Sequence, residues 1–369
     1  MNWLKNFNSK FIANKKYADK YDKELYIAIT TNSSSSERKP YLTPTRTFNN
    51  FIVFGIVVYY QYELKEICKI VEGKIKLLFV DAEKKIPIET HKKILNPNKK
   101  DIIKHNRKKI SNEYIELGNL VSICNENLSK TKFVEFKPND ITVNNAWLEV
   151  ANHFKVLSKK KIAIIGAGNI GFKLALKLVE TGCNINIFRR QLEKCIMLSN
   201  AINLVKPIST IASSSFFENK IKACLFVDAI IGSSNEQNSI NLEMIKVMKP
   251  NGIILDIGKG TIKKDAIKYA KTKKIKVIRC DISASLTNFI FEYINYKDIK
   301  KSRGRKKILK DIYISSGGYM AEENDIIVDN FQKPKEIICV ADGNGSAKKV
   351  LTKKNKYQIL KLNKFLKVN

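Results

Sequence analysis

The sequence predicts an α/β protein in which a doubly wound parallel sheet is joined to a second α/β domain that caps it. Three observations support this prediction. An apolar run leads into a G-x-G-x-x-G motif that opens an amphipathic helix, and strands then alternate with helices through the middle of the chain. A length of 369 residues with 44% hydrophobic content is also enough to bury the cores of two domains.

The glycine motif follows a short apolar strand. Ile162 to Ile165 suit a parallel strand buried on both faces, and a helix is expected from Ile170 to Glu180. The first glycine allows a tight turn, the second lets the backbone approach a diphosphate, and the third lets the helix pack closely. Free amide groups and the helix dipole then face that diphosphate. We predict a dinucleotide site at Gly166, Gly168, Asn169, Ile170 and Gly171, with a structural glycine turn or an empty site as the alternative.

An arginine pair follows the second predicted strand, Asn184 to Phe188. This position usually carries an acidic residue that binds the ribose hydroxyls of NAD, but here Arg189 and Arg190 occupy it. Guanidinium groups bind a 2′-phosphate in forked geometry, whereas a carboxylate would repel it. The chain has only eight arginines against fifty-nine lysines, so a pair at this place is informative. We therefore predict NADP(H) in preference to NAD(H), with an accidental basic pair on a solvated loop as the alternative.

Three further strands are predicted downstream, Leu225 to Ile231, Gly252 to Asp256 and Lys276 to Arg279, with helices between them. Ligands of doubly wound sheets lie beyond the carboxyl ends of the strands. We therefore expect Ser233 and Gly258 near the ribose and nicotinamide.

The catalytic candidates lie at the same ends of the strands. A lysine beside a nicotinamide can polarise a carbonyl or exchange a proton once burial lowers its pKa, which makes Lys259 the first candidate. Asp256 would orient Lys259, and Asp281 is the next candidate. The alternative is that Asp256 caps its strand and that Lys259 is a surface residue.

Residues from about Asn139 to Tyr296 resemble the NADP-binding domain shared by shikimate/quinate dehydrogenases and glutamyl-tRNA reductases. The resemblance rests on Ile164-Ile-Gly-Ala-Gly-Asn-Ile-Gly171, on Phe188-Arg-Arg190 in place of the families' Asn-Arg-Thr, and on Asp228-Ala-Ile-Ile-Gly-Ser-Ser234. It implies a Rossmann domain with an NADP cofactor and leaves the substrate undefined.

Outside that region the resemblance fails. Shikimate dehydrogenases carry a Ser-x-Ser-Pro motif near the N-terminus, and the segment from Ser33 to Pro40 does not fit it. Cys124 superficially resembles the nucleophile of glutamyl-tRNA reductase, but it lies too close to the glycine loop, and we expect an ordinary buried side chain.

We expect three segments: an N-terminal α/β cap or substrate domain at 1–138, the Rossmann domain at 139–298, and a C-terminal segment at 299–369 that completes the cap. In the cap, Glu24 to Thr30 and Lys76 to Val80 read as strands, and Tyr62 to Val71 reads as a helix. Substrate-side candidates are Thr43, Thr45, Arg46 and the cluster Asp81, Lys84 and Lys85; each is also plausible as a solvated residue.

The net charge of +32 raises the question of nucleic-acid binding. The excess is lysine spread along the whole chain, and the densest basic runs lack aromatic residues, so we expect attraction of an anionic small substrate instead. The seven cysteines show no C-x-x-C spacing, which predicts reduced thiols and a cytoplasmic protein. No metal site and no membrane contact are expected, and a homodimer stays open.

The sequence leaves three functions to be distinguished. The first is an NADP(H)-dependent dehydrogenase or reductase, resembling shikimate dehydrogenases, that moves a hydride to or from a small hydroxy, keto or amino-acid-like substrate. The second is an enzyme similar to glutamyl-tRNA reductase that holds RNA with its charge. The third is a protein that binds NADP(H) without catalysis.

Overall fold

The computed structural model describes residues 2–32, 39–86, 88–89, 94–95 and 119–368. These residues divide into two units, Met1–Ser285 and Leu286–Asn369, and the first unit contains two large sheets. The sequence-based boundaries at 138 and 298 remain a prediction, since the first unit extends through both of its sheets. None of the helices in these described ranges is long and apolar enough to cross a membrane.

The first sheet is formed by the N-terminal part of the chain. Its elements are α1 (Asn2–Lys20), β1 (Glu24–Thr30), β2 (Tyr41–Leu42), β3 (Arg46–Thr47), β4 (Phe51–Val57), α2 (Gln61–Val71), β5 (Leu77–Asp81), the small hairpin β6 (Ile88–Glu89) and β7 (Ile94–Leu95), α3 (Leu120–Asn127) and β8 (Lys132–Phe136). The main strands run parallel in the order β4-β1-β5-β8, and β2 and β3 pair antiparallel with β4. The predicted strands and helix of this region are confirmed to within a residue at each end.

The continuous apolar runs explain this architecture. All seven residues of β4 and all five of β5 are buried, which is typical of parallel strands covered on both faces. Helix α1 contributes Phe7 and Phe11 to the same core, and α2 contributes Leu64 and Ile67. The region is therefore of the α/β class, as the sequence predicts.

The second sheet contains six parallel strands and begins after a long helix. Its elements are α4 (Pro138–Phe154), β9 (Lys161–Ile165), α5 (Asn169–Glu180), β10 (Asn184–Phe188), α6 (Leu192–Val205), β11 (Ser214–Phe217), α7 (Lys220–Ala223), β12 (Ala229–Gly232), α8 (Leu242–Lys246), β13 (Ile253–Asp256), α9 (Lys264–Thr272) and β14 (Lys276–Arg279). The spatial order is β11-β10-β9-β12-β13-β14. This is the doubly wound 3-2-1-4-5-6 order, with its switch point between β9 and β12.

Two features of the second sheet differ from the prediction. Strand β12 begins at Ala229 and not at Leu225, because Phe226 has a φ of +53° and turns the chain before the strand. Strand β11 was not predicted, because it is an edge strand of sequence SSFF with one buried residue and therefore carries no apolar run.

The second unit contains most of helix α10 (Ser283–Lys301), the strands β15 (Arg305–Leu309), β16 (Ile312–Ser316), β17 (Ile326–Val328) and β18 (Ile337–Val340), and the helix α11 (Lys353–Val368). The strands lie in the order β15-β16-β17-β18. The basic run that begins at Lys300 is partly strand, because Arg305 forms a bidentate ion pair with the buried carboxylate of Asp325, at 2.7 and 3.1 Å. The terminal helix begins at Lys353.

Candidate functional site

The first glycine of the motif turns the chain sharply after β9. Gly166 has a φ of +96°, a left-handed conformation that favours glycine. A Cβ at this position would also lie 2.4 Å from the Cβ of Ser234, so the space is closed to a side chain. The turn brings the ends of β9, β10 and β12 together, since the Gly166 amide donates to the Phe188 carbonyl at 2.9 Å.

The second glycine faces open space at the start of helix α5. A Cβ on Gly168 would meet no atom within 4 Å, and no side chain caps the first turn that begins at Asn169. The amides of Asn169, Ile170 and Gly171 therefore belong to an uncapped helix terminus with free volume before it. This arrangement fits a diphosphate, which would bind these amides and occupy the space that a side chain at Gly168 would fill.

The third glycine lets the helix approach strand β12. A Cβ on Gly171 would lie 2.6 Å from the hydroxyl oxygen of Ser233. That hydroxyl donates to the carbonyl of Gly166 at 2.8 Å, so Ser233 binds the backbone of the glycine loop. Ser233 was expected near the ribose; its described contact is with the loop backbone.

The two arginines have different surroundings. The Arg189 guanidinium donates through Nη1 to the Ala167 carbonyl at 2.7 Å, inside the glycine loop. The side chain of Arg190 is 80% exposed, and its Nε lies 4.0 Å from a carboxylate oxygen of Glu236. Both residues lie at the tip of β10, as predicted. Among the contacts described for the two side chains, only that of Arg189 reaches the glycine loop.

The end of β13 and the loop after it hold two of the three predicted catalytic residues, Asp256 and Lys259. Gly258 packs so closely that a Cβ there would lie 2.0 Å from the Ser234 carbonyl oxygen. The Asp256 carboxylate accepts from the Gly260 amide at 2.6 Å and from the Thr261 hydroxyl at 2.7 Å. Its described contacts therefore stabilise the loop, and none supports the predicted orientation of Lys259. Lys259 has a φ of +65° and is exposed, as the alternative of a surface residue predicts.

A second candidate lysine, Lys84, follows strand β5 of the first sheet. The Lys84 ammonium donates to the Thr31 carbonyl at 3.0 Å. Burial lowers the pKa of Lys84, and the positive charge of Lys259 lowers it further. The carboxylates of Asp81 and Glu83 raise this pKa, but the effect of burial is larger. Lys84 and Lys259, candidates from different segments, therefore interact through their charges, although this is the smallest of the effects on the pKa of Lys84.

Asp81 supports this lysine from the end of β5. Its carboxylate is fully buried and accepts from the Thr30 hydroxyl at 2.5 Å and from the amides of Glu83 and Lys84 at 2.9 and 3.1 Å. These bonds order the turn that carries Lys84. Asp81 therefore positions the turn that carries Lys84, and its own side chain has no contact with solvent.

Polar contacts near the turn that carries Lys84 join the two sheets of the first unit. The Lys173 ammonium of α5 contacts the carboxylates of Asp140 at 2.5 Å and Glu83 at 3.3 Å. Arg46, on β3, lies 3.7 Å from the carboxylate of Asp281, beyond the end of β14. The substrate-side candidate Arg46 and the catalytic candidate Asp281 are thus neighbours.

Comparison with known proteins identifies the type of the second sheet. Residues 135–285 match the model for the NAD-binding domain of D-isomer-specific 2-hydroxyacid dehydrogenases. Together with the strand order and the glycine loop, this match decides the assignment. The chain carries an NAD(P)-binding Rossmann domain. The resemblance predicted from the sequence is confirmed at the level of this superfamily.

The Rossmann domain is also the region shared with a curated relative. Glutamyl-tRNA reductase of Sulfurisphaera tokodaii is 27% identical over 156 residues, which are 41% of this chain and 37% of that protein. The chain therefore spans well under half of the length of this relative.

Two solved structures are similar at low identity. The A chain of dipicolinate synthase from Bacillus subtilis is 14% identical, with a TM-score of 0.33, and the match covers 75% of this chain and 97% of that chain. Shikimate dehydrogenase in complex with NADP⁺ is 16% identical, with a TM-score of 0.36, and the match covers 70% of this chain and 84% of that chain.

Cys124 lies outside the Rossmann domain and is closed to solvent. It is fully buried in α3, and a hydrogen bond with Cys68 together with burial raises the pKa of its thiol. A nucleophilic thiolate needs access and a lowered pKa, so the position suits the expected small apolar side chain.

Sequence reasoning missed Glu236, which lies beside Arg190 and follows no recognisable signal because it is on the loop after β12. Lys84 was predicted as one member of a cluster, and its lowered pKa depends on burial that the sequence does not show. The Ser33–Ser36 run, His91 and His105 lie outside the described residues.

Proposed function

We propose that the protein is an NADP(H)-dependent oxidoreductase that transfers a hydride to or from a small anionic substrate. The observation that carries the proposal is the open, uncapped start of α5 at Gly168, with two arginines at the tip of the next strand. The nicotinamide cofactor would supply the hydride. The residues Gly166, Gly168, Asn169, Ile170 and Gly171 would hold its diphosphate, with Ser233 and Gly258 beside the ribose and nicotinamide.

The substrate would bind where the loop after β13 faces the first sheet. Lys84 and Lys259 supply two amines there, and like charges in proximity are stabilised by an anionic group between them. A carboxylate bound to one amine would leave the other able to donate a proton to a carbonyl oxygen. Arg46 and Asp281 would border this site. We assign Lys259 and Lys84 as the proton-transfer candidates.

The alternatives are less well supported by these contacts. Chemistry similar to that of glutamyl-tRNA reductase needs an accessible nucleophile, and Cys124 is buried. A protein that only binds NADP(H) has no need for a partly buried lysine with a lowered pKa.

The proposal is tested by titrating the full chain with NADPH and NADH, and then by following oxidation of NADPH with a panel of small keto acids. In the presence of an accepted substrate, we expect Lys259→Met to lower kcat by about 100-fold or more, because a general acid contributes about that much. Lys263→Met, an exposed lysine four residues farther on, is the matched control.

The possible outcomes separate the three functions. Binding of NADPH with turnover that depends on Lys259 supports the oxidoreductase. Tight binding without turnover of any keto acid, hydroxy acid or amino acid would favour the non-catalytic protein. Failure to bind either dinucleotide would overturn the proposal.

A further inference from the structure

The adjacent residues Arg189 and Arg190 make contacts of two different kinds. Arg189 is half-buried and donates to the Ala167 carbonyl at 2.7 Å. Arg190 is 80% exposed, and its only partner among the described ion pairs is Glu236, at 4.0 Å. One guanidinium is thus part of the glycine loop, and the other is held loosely at the surface.

The carbonyl that Arg189 contacts lies at a sensitive place. Ala167 stands between the strained turn at Gly166 and the open position at Gly168, and its side chain is fully buried. A carbonyl oxygen carries partial negative charge, which would disfavour a diphosphate nearby if it were free to turn toward it. The guanidinium holds this oxygen and adds a positive charge beside the diphosphate space.

The surroundings of Arg190 suit recognition of an additional phosphate. An exposed ion pair at 4.0 Å stabilises little, so an incoming dianion can replace Glu236 at small cost. A phosphate monoester offers oxygens for bidentate contacts that one carboxylate at this distance does not make.

We propose that the two arginines have different roles. Arg190 recognises the 2′-phosphate of NADP(H), and Arg189 is a positioning residue that holds the glycine loop for either dinucleotide. This inference rests on the proposed cofactor site. It differs from the sequence-based prediction, in which both guanidiniums select the phosphate together.

The test uses Arg189→Gln and Arg190→Gln in the full chain, a pair matched in chemistry and one residue apart. Dissociation constants are measured for NADPH, NADH and adenosine 2′-monophosphate, which carries the 2′-phosphate and lacks the diphosphate. For Arg190→Gln we expect NADPH and adenosine 2′-monophosphate to weaken by about 10- to 100-fold, with NADH unchanged.

For Arg189→Gln we expect a different pattern. NADPH and NADH should weaken by the same factor, because the loop serves both, while adenosine 2′-monophosphate binds as in the wild type. Arg189→Lys should restore part of the dinucleotide affinity, since an ammonium can donate to the same carbonyl. This conservative variant also decides the question if the glutamine variant folds poorly.

Two results would overturn the inference and leave the cofactor site intact. The first is a selective loss of NADPH in Arg189→Gln, and the second is an equal loss of both dinucleotides in Arg190→Gln. If the wild type binds neither dinucleotide, the proposed function fails together with the inference.

Discussion

At the scale of single residues, the site depends on which partner each charged group has. Glu236 is the carboxylate closest to Arg190 among the described ion pairs, and it is 43% exposed. Its negative charge would repel a 2′-phosphate at the same time as it holds the arginine that would bind that phosphate. Glu236 would therefore oppose the proposed binding of NADP(H) in this arrangement.

Removing this charge gives a prediction that is independent of the arginine variants. Glu236→Gln should tighten NADPH binding by about two- to fivefold, because an exposed ion pair is worth up to about 1 kcal/mol. NADH, which lacks the extra phosphate, should change little. Fluorescence titration with both dinucleotides measures the two constants, and weaker NADPH binding would show that Glu236 helps to hold the cofactor.

At the scale of elements, the start of helix α5 is the decisive feature. Gly168→Ala should leave the fold intact, since a Cβ there meets no atom within 4 Å and the residue has a φ of −91°. The stability should change by less than about 1 kcal/mol. The same Cβ should lower the affinity for both dinucleotides by about tenfold or more, because it enters the diphosphate space.

Gly317→Ala is the matched control for this helix terminus. Gly317 also has no neighbour within 4 Å of a built Cβ and no positive φ, but it belongs to the second unit. Thermal melts check the stability of both variants, and titration with NADPH and NADH checks binding. Unchanged affinity in Gly168→Ala would place the diphosphate elsewhere.

Element prediction from the sequence succeeded where the residues carry a periodic signal. Strands β1, β10 and β14 are confirmed with their predicted ends, because apolar runs bounded by turns mark them. Strand β17, which has three residues, and β15, whose sequence is RKKIL, were not predicted. These strands form because of their neighbours: Arg305 in β15 is neutralised by the buried Asp325.

At the scale of the whole molecule, the chain partly buries the ammonium of Lys84 despite a net charge of +32. Burial lowers the folded-state pKa of Lys84 from its ordinary 10.5. At a pH below this lowered pKa, the amine is charged in both the folded and the unfolded state, and burial of the charge destabilises the folded state. Above it the folded state releases the proton that the unfolded state still holds, so stability rises with pH up to about 10.5.

This linkage is tested by unfolding the wild type and Lys84→Met in urea over a series of pH values. The free energy of unfolding of the wild type minus that of the variant should rise between the lowered pKa and pH 10.5. The exposed Lys263→Met should show no such trend. A difference that is flat or falls across this range would contradict the lowered pKa of Lys84 in the folded state.

The glycine loop could be predicted from the sequence, because the glycine spacing, the apolar strand and the helix that follows are local in the chain. The arginine pair was also evident there, but the separate partners of Arg189 and Arg190 were not. The packing of the chain shows that Ala167 and Glu236 are those partners, and that Lys84 binds the carbonyl of Thr31. These contacts join residues that are distant in sequence, so they depend on how strands and loops pack and leave no periodic signal in the chain.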